Sequence, residues 1–201
     1  MNSTSGIYNH FTGKNLSEFT RRLKKLSTGE FDDVRWDDLR APATAINPPG
    51  QLSDPDWDNT NGGWLFAPNG TEVLWIIMQM PHAYKQGSSI RPHIHWQPIN
   101  TDTGDVLWRM EYKWTNINDV DAGTFTTLNI LTAGSGTALT HQINGFGEID
   151  GTGKRISSIL TLKLSRIGGD STDTYNTDAL LKEFDVHFQI NSTGSRQEYI
   201  K

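Results

Sequence analysis

The sequence predicts a mainly β protein: an antiparallel jelly-roll-like β-sandwich with an N-terminal helix and extended arm. Three observations carry this. Apolar and polar residues alternate with period two in several segments after residue 64. Clusters of Gly, Asn and Asp, such as "TAGSGTA", "NGFGEIDGTG" and "RIGGDSTD", separate those segments. No βαβ alternation of strands with helices appears, which disfavours a parallel sheet. With 201 residues, 35% of them hydrophobic, the chain can fill one sizeable core. The division expected is an arm over residues 1–45, with helix and connector, and a jelly-roll body over 46–201.

In chain order, "NLSEFTRRLKKLS" is the best helix. Asn15 followed by Glu18 fits a capping box, and Leu16, Phe19, Leu23 and Leu26 recur at helical spacing. Lys14, Arg21, Arg22, Lys24 and Lys25 oppose the single acid Glu18 there. Residues 30–58 reverse the sign, with Glu30, Asp32, Asp33, Asp37, Asp38, Asp54, Asp56 and Asp58 against Arg35 and Arg40. Residues 41–63, rich in Pro and turn residues, read as a connector laid along a surface. An ordered arm needs partners to offset its entropy. Arg21, Arg22, Lys24, Lys25, Trp36, Asp37 and Asp38 are therefore the interface candidates.

"EVLWIIMQM", apolar on both faces, reads as a central strand. "HIHWQPI" follows. "DVLWRMEYKWT" alternates cleanly, with Val106, Trp108, Met110, Tyr112 and Trp114 on one face. "TFTTLNIL", "RISSILTLKLSRI" and "EFDVHFQI" complete six strands, and "TDALLKE" reads as a short helix.

Composition excludes several classes. Cysteine is absent, which removes disulfides, thiolate zinc sites and cysteine nucleophiles. A formal net charge of -5 argues against general nucleic-acid binding. No apolar run approaches the roughly 20 residues of a membrane span. The first residues lack the pattern of a signal peptide.

Histidines offer the main chemical question. Alternation puts His93 and His95 on one face of their strand, opposite Ile94 and Trp96, and His187 on a polar face with Asp185 and Gln189. If pairing joined those faces, three imidazoles, with Asp185, would suit zinc or iron. The pattern is similar to cupins, yet Trp96, Gln97 and Pro98 occupy the region of the cupin glutamate. The reading taken is architectural: Ile94 and Trp96 pack inward while the histidines line a polar face or a subunit contact. No metal or other cofactor is assigned, with His93, His95 and His187 kept as metal candidates.

No nucleophile elbow, phosphate-binding loop or His-Glu-x-x-His motif assembles. Ser157 and Ser158 lie without an obvious base and read as structural. Most tryptophans fall on apolar faces, which indicates core packing rather than sugar stacking. No enzymatic activity is expected.

"WDDLRAP", "MPHAYKQGSSIRPHIHWQP", "VLWRMEYKWTNI", "SSILTLKLSRIG" and "DTYNTDALLKEFDVHFQINSTGSRQEYIK" together resemble a family of tailed-bacteriophage virion structural proteins. The resemblance runs from about residue 36 onward. It implies a non-enzymatic jelly-roll particle component located in the virion and assembled in the host cytoplasm. Within that family the chain is read as a capsid decoration (cement) protein stabilising the head, a homotrimer bound to the major capsid protein or other virion proteins. Direct nucleic-acid or membrane contact is not expected. The competing readings are a tail, neck or fibre-associated adaptor or receptor-binding protein, and a cupin-like metal protein. The final motif predicts an ordered C-terminal segment tucked against the body.

Overall fold

The computed structural model describes residues 13–51 and 53–201. Helix α1 (Gly13–Thr28) leads into β1 (Glu30–Pro42) and a 3-10 turn at Ala43–Ala45. Then come β2 (Asp56–Asp58), β3 (Gly63–Phe66), β4 (Thr71–Gln79), β5 (Ile90–Pro98) and β6 (Asp105–Thr115). Strands β7 (Thr126–Ala133), β8 (Gln142–Gly145), β9 (Ile159–Ile167) and β10 (Ala179–Ser192) follow. All the strand pairs are antiparallel.

Two sheets result. One has four strands in the order β4-β9-β6-β7; the other runs β2-β3-β10-β5-β8, with β1 also paired to β10. Strand β5 takes one edge of β10 from Ala179 to Phe188. Its other edge is shared: β3 pairs with Ala179–Leu181 and β1 with the remainder, Glu183 onward. Strand β10 is therefore the hub of the larger sheet.

The inner faces meet as the alternation requires. From the smaller sheet come Leu74, Ile76, Met78, Val106, Trp108, Met110, Leu160, Leu162 and Leu164; from the larger, Ile90, Ile94, Trp96, Phe184, Val186 and Phe188, all buried. Trp108 sits at their centre, edge-on to Phe66 at 5.1 Å and to Trp96 at 6.0 Å between ring centroids. Each such side chain contributes on the order of 1.5–3 kcal/mol by leaving water. The mainly β, two-sheet antiparallel class predicted from the sequence is the class observed.

Four local expectations are corrected. Helix α1 spans Gly13–Thr28, so Asn15 is a helical position and not the residue before the helix. "TDALLKE" is no helix: Ala179–Leu181 open β10, bonded to β3 on one side and β5 on the other. Ladders on both edges override a modest helix propensity. Strand β4 is not central but lies at the edge of its sheet. Its second apolar face is external: Ile77 is 70% exposed, and Trp75, also exposed, touches Phe125 and Lys163. The boundary at residue 45 also moves. Residues 30–42, grouped with the arm, form a strand of the body's sheet, with Leu39 against the core and Ala41 within it. The 41–63 connector contains the 3-10 turn and β2, and Trp64 Nε1–H donates to the Ala43 carbonyl at 2.9 Å, pinning it.

The C-terminal segment is tied down. Lys201 Nζ donates to the carbonyls of Ala83 and Tyr84 at 2.9 and 2.6 Å, and Arg196 to that of Ser27.

Candidate functional site

The register of β5 against β10 builds a cluster on the outer face of the larger sheet. His93 lies opposite Asp185, and His95 opposite Glu183. The period-two side-chain rule then sets both imidazoles and the Asp185 carboxylate on one side. One ligand atom from each of His93, His95 and Asp185 lies within 4.8 Å of the others. His93 Nε2 touches Asp185 Oδ1, and His95 Nε2 stands 3.2 Å from Oδ2. Although on the outer face, the group is sheltered: the His93 and Asp185 side chains are 6% and 5% exposed.

Surrounding residues supply the shelter. The His187 ring packs on His93 at 4.2 Å between centroids. His187 Nε2 reaches Asp38 Oδ1 at 3.0 Å, across the β1–β10 ladder. His141, from the β7–β8 connection, stacks on His95 at 4.9 Å, with its Nε2 2.7 Å from His95 Nδ1. Arg40 Nη2 donates to Glu183 Oε2 at 2.7 Å. Farther out, Arg91 pairs with Glu148 at 3.1 Å and lies 5.0 Å over the Trp36 ring.

The electrostatics favour cations here. Burial opposes charging of His93, but the adjoining Asp185 carboxylate outweighs it, and the imidazole is held above its ordinary value. Two buried atoms, His95 Nε2 and Asp185 Oδ1, make no hydrogen bond of acceptable angle among the described residues, although other polar atoms lie close.

The sequence-predicted residues therefore divide. His93 and His95 come together with Asp185, whereas His187 stands beside them, engaged with Asp38. Trp36 and Asp38 flank the cluster on β1, while Asp37 lies on the alternate side of that strand. The helix candidates are elsewhere: Arg21 and Arg22 both reach Glu18, at 3.4 and 3.2 Å, Lys24 is exposed and Lys25 half-buried. His141 was missed; it sits in a loop, where no periodicity marks it.

A second polar group corrects the view that Ser157 has no base nearby. His82 Nε2 lies 3.1 Å from Ser157 Oγ, and His82 Nδ1 lies 2.6 Å from Ser195 Oγ. Ser195 Oγ in turn donates to the Gln197 carbonyl, so this chain fastens the C-terminal segment to the body. Ser158 Oγ accepts from Trp114 Nε1–H at 2.8 Å and is structural.

Comparisons with known proteins add little. No family model and no curated protein matches the chain. Among solved structures, the similar ones include CBM35 from Cellvibrio japonicus Abf62, at 11% identity and a TM-score of 0.41, over 83% of this chain and 99% of that one. TmCBM61 in complex with beta-1,4-galactotriose follows at 11% and 0.33, over 82% and 92%. The CBM22-2 xylan-binding domain from Paenibacillus barcinonensis Xyn10C gives 7% and 0.30, over 72% and 94%. At such values the likeness carries no functional weight, and the fold rests on this chain's own strand pairing.

Proposed function

We propose that this chain is a non-enzymatic structural subunit of a tailed-phage virion, acting as a capsid decoration (cement) protein and assembling with copies of itself, as a homotrimer. The observation that carries an assembly role is the apolar stripe of α1. Leu16, Leu23 and Leu26 are 56%, 49% and 79% exposed, on a helix whose body-side neighbour is β1. A stripe of that kind on a surface helix is normally covered. The occupant proposed is a second copy of this chain. The basic residues of α1 complement the acidic run over 30–58, which on β1 places Asp33, Asp37 and Asp38 in exposed positions. The virion setting is drawn from the resemblance of the motifs quoted above.

The test is a chain lacking residues 1–28. It retains β1, so the body's sheet stays complete. Sedimentation velocity is expected to give an oligomer for the full chain and a folded monomer for the truncated one. Salt above roughly 0.5 M should weaken the oligomer, because screening shortens the reach of exposed charges. A full chain that sediments as a monomer, or a truncation that associates equally well, overturns the docking. Copy number in purified virions separates a head from a tail location: hundreds of copies fit a cement role, a handful a tail adaptor.

A further inference from the structure

We infer that His93, His95 and Asp185 form a binding site for a first-row divalent transition metal of the Zn2+ type, which clamps β5 to β10. Three independent features support this beyond the presence of the residues. The first is convergence. Donor atoms of the three side chains lie within 4.8 Å of one another, from strands whose register places His93 opposite Asp185. Donors about 2.0–2.2 Å from one tetrahedral metal lie roughly 3.2–3.6 Å apart, so binding draws the wider spacings in and parts the His93–Asp185 contact.

The second is incomplete satisfaction. Asp185 Oδ1 and His95 Nε2 are buried and form no well-angled hydrogen bond. An architectural network of histidines and a carboxylate would align its bonds, because an unsatisfied buried polar atom costs about 1–3 kcal/mol. A cation between the atoms satisfies both at once and makes alignment along a hydrogen unnecessary.

The third is the outer support. His93 Nδ1 lies 3.4 Å from the Arg91 carbonyl, which suits a donated N–H, so that a cation displacing the Nε2 proton would find that nitrogen facing Asp185. His95 Nδ1 is held by His141 at 2.7 Å. Metal-binding imidazoles are commonly oriented this way through their second nitrogen. His187 is a wall against His93 rather than a ligand, since its own Nε2 is engaged by Asp38.

The donor set selects the ion class. Two imidazoles and one carboxylate suit Zn2+, Fe2+, Co2+ or Ni2+ better than Mg2+ or Ca2+, which prefer all-oxygen shells. Beside the cluster, a depression of ≈ 500 Å³ is lined by His93, His187, Ile143, Gly145 and Glu148. It leaves room for water or a partner's side chain to complete the coordination. Since β1 meets the cluster through Asp38, the clamp also steadies the strand that carries α1.

The full chain is to be titrated with Co2+ and, separately, Zn2+ after chelator treatment. Expected are one ion per chain, a visible Co2+ absorption band of low coordination number displaced by Zn2+, and a rise in melting temperature on Zn2+ addition. His95→Gln, at the most exposed ligand, should weaken Zn2+ binding by at least a hundredfold, whereas His187→Gln should change it by less than tenfold. His141→Gln should fall between, at about 10–100-fold. If His95→Gln does not fold, the Co2+ spectrum of the unaltered chain decides alone. Absence of a stoichiometric Co2+ band, or binding that survives His95→Gln but not His187→Gln, overturns the assignment.

Discussion

Arg166 and Asp173 face each other inside the protein with both side chains wholly removed from solvent. Arg166 Nη2 donates to Asp173 Oδ1 at 2.7 Å, and Nε donates to Oδ2 at 3.0 Å. The guanidinium also donates to the carbonyls of Phe66, Thr177 and Tyr175. Asp173 Oδ2 accepts the Leu107 N–H at 2.9 Å as well. The pair thus joins the start of β6, the end of β9 and the segment leading into β10.

Because the pair is fully desolvated and fully bonded, removing one partner strands the other. Arg166→Met or Asp173→Asn alone is expected to cost roughly 3–5 kcal/mol, and the double change less than their sum. Urea denaturation of the four proteins checks this; additive losses would show that the charges do not depend on one another.

The two central tryptophans should respond differently to loss of the indole nitrogen. Trp96 Nε1–H donates to Asn144 Oδ1 at 2.7 Å, whereas the buried Nε1 of Trp108 has no hydrogen-bond partner among the described residues. Trp96→Phe is expected to destabilise more than Trp108→Phe, by about 1 kcal/mol, the usual net worth of a hydrogen bond. Denaturation midpoints at unchanged slope provide the comparison.

Gly151 is held by space rather than by backbone angle. A Cβ there would meet the Ser88 carbonyl oxygen at 1.9 Å and the Tyr84 hydroxyl at 2.6 Å. Gly151→Ala is expected to lose on the order of 1–3 kcal/mol or more. Gly147→Ala, where none of the described residues lies within 4 Å of the added Cβ but φ is +93°, tests strain without a clash. A smaller loss at Gly147 is the expected result by thermal melting.

Acid should weaken the fold through its turns. The Asp102 carboxylate accepts the N–H groups of Asn176 and Gly104, and these bonds hold it below the usual range. The bonds from Thr152 to Asp150 and from Thr172 to Asp170 do the same there. A depressed folded pKa gives stability present above the unfolded value of about 3.9 and lost as pH falls through the folded value. Glu72 and Asp178 are pushed up by burial and act oppositely, losing stability as pH rises past the unfolded value. The melting temperature of Asp102→Asn is therefore expected to lie below that of the unaltered chain at pH 7, with the gap closing from pH 5 toward pH 2.

Local alternation made the strands and their faces legible. Val106, Trp108, Met110 and Trp114 are buried as their spacing requires, as are Phe184, Val186 and Phe188. Partner choice was not legible, because period two says which face a residue takes and not which strand lies beside it. Hence β4, apolar on both faces, reads as a central strand, and β1 as part of an arm. Leu180 and Leu181 within "TDALLKE" carry a helical preference that only the two flanking ladders override. Arg166 shares the face of Leu160, Leu162 and Leu164 in an unbroken alternation, so its inward direction was readable, though its acid partner was not. In the candidate site, the shared face of His93 and His95 followed from spacing. The register that brings Asp185 rather than His187 to them, and the approach of His141, are tertiary facts.

The hub position of β10 bears on how the chain is made. Trp36 of β1 pairs with Gln189 of β10, some 150 residues later in synthesis. At about 5–20 residues per second the ribosome takes roughly 7–30 s to cover that distance. For that interval the β10 edge that β1 occupies does not yet exist. In a polysome, the strand it meets first can belong to a neighbouring chain further along in translation. The same ladder that closes one subunit thus provides a route for two nascent copies to exchange strands.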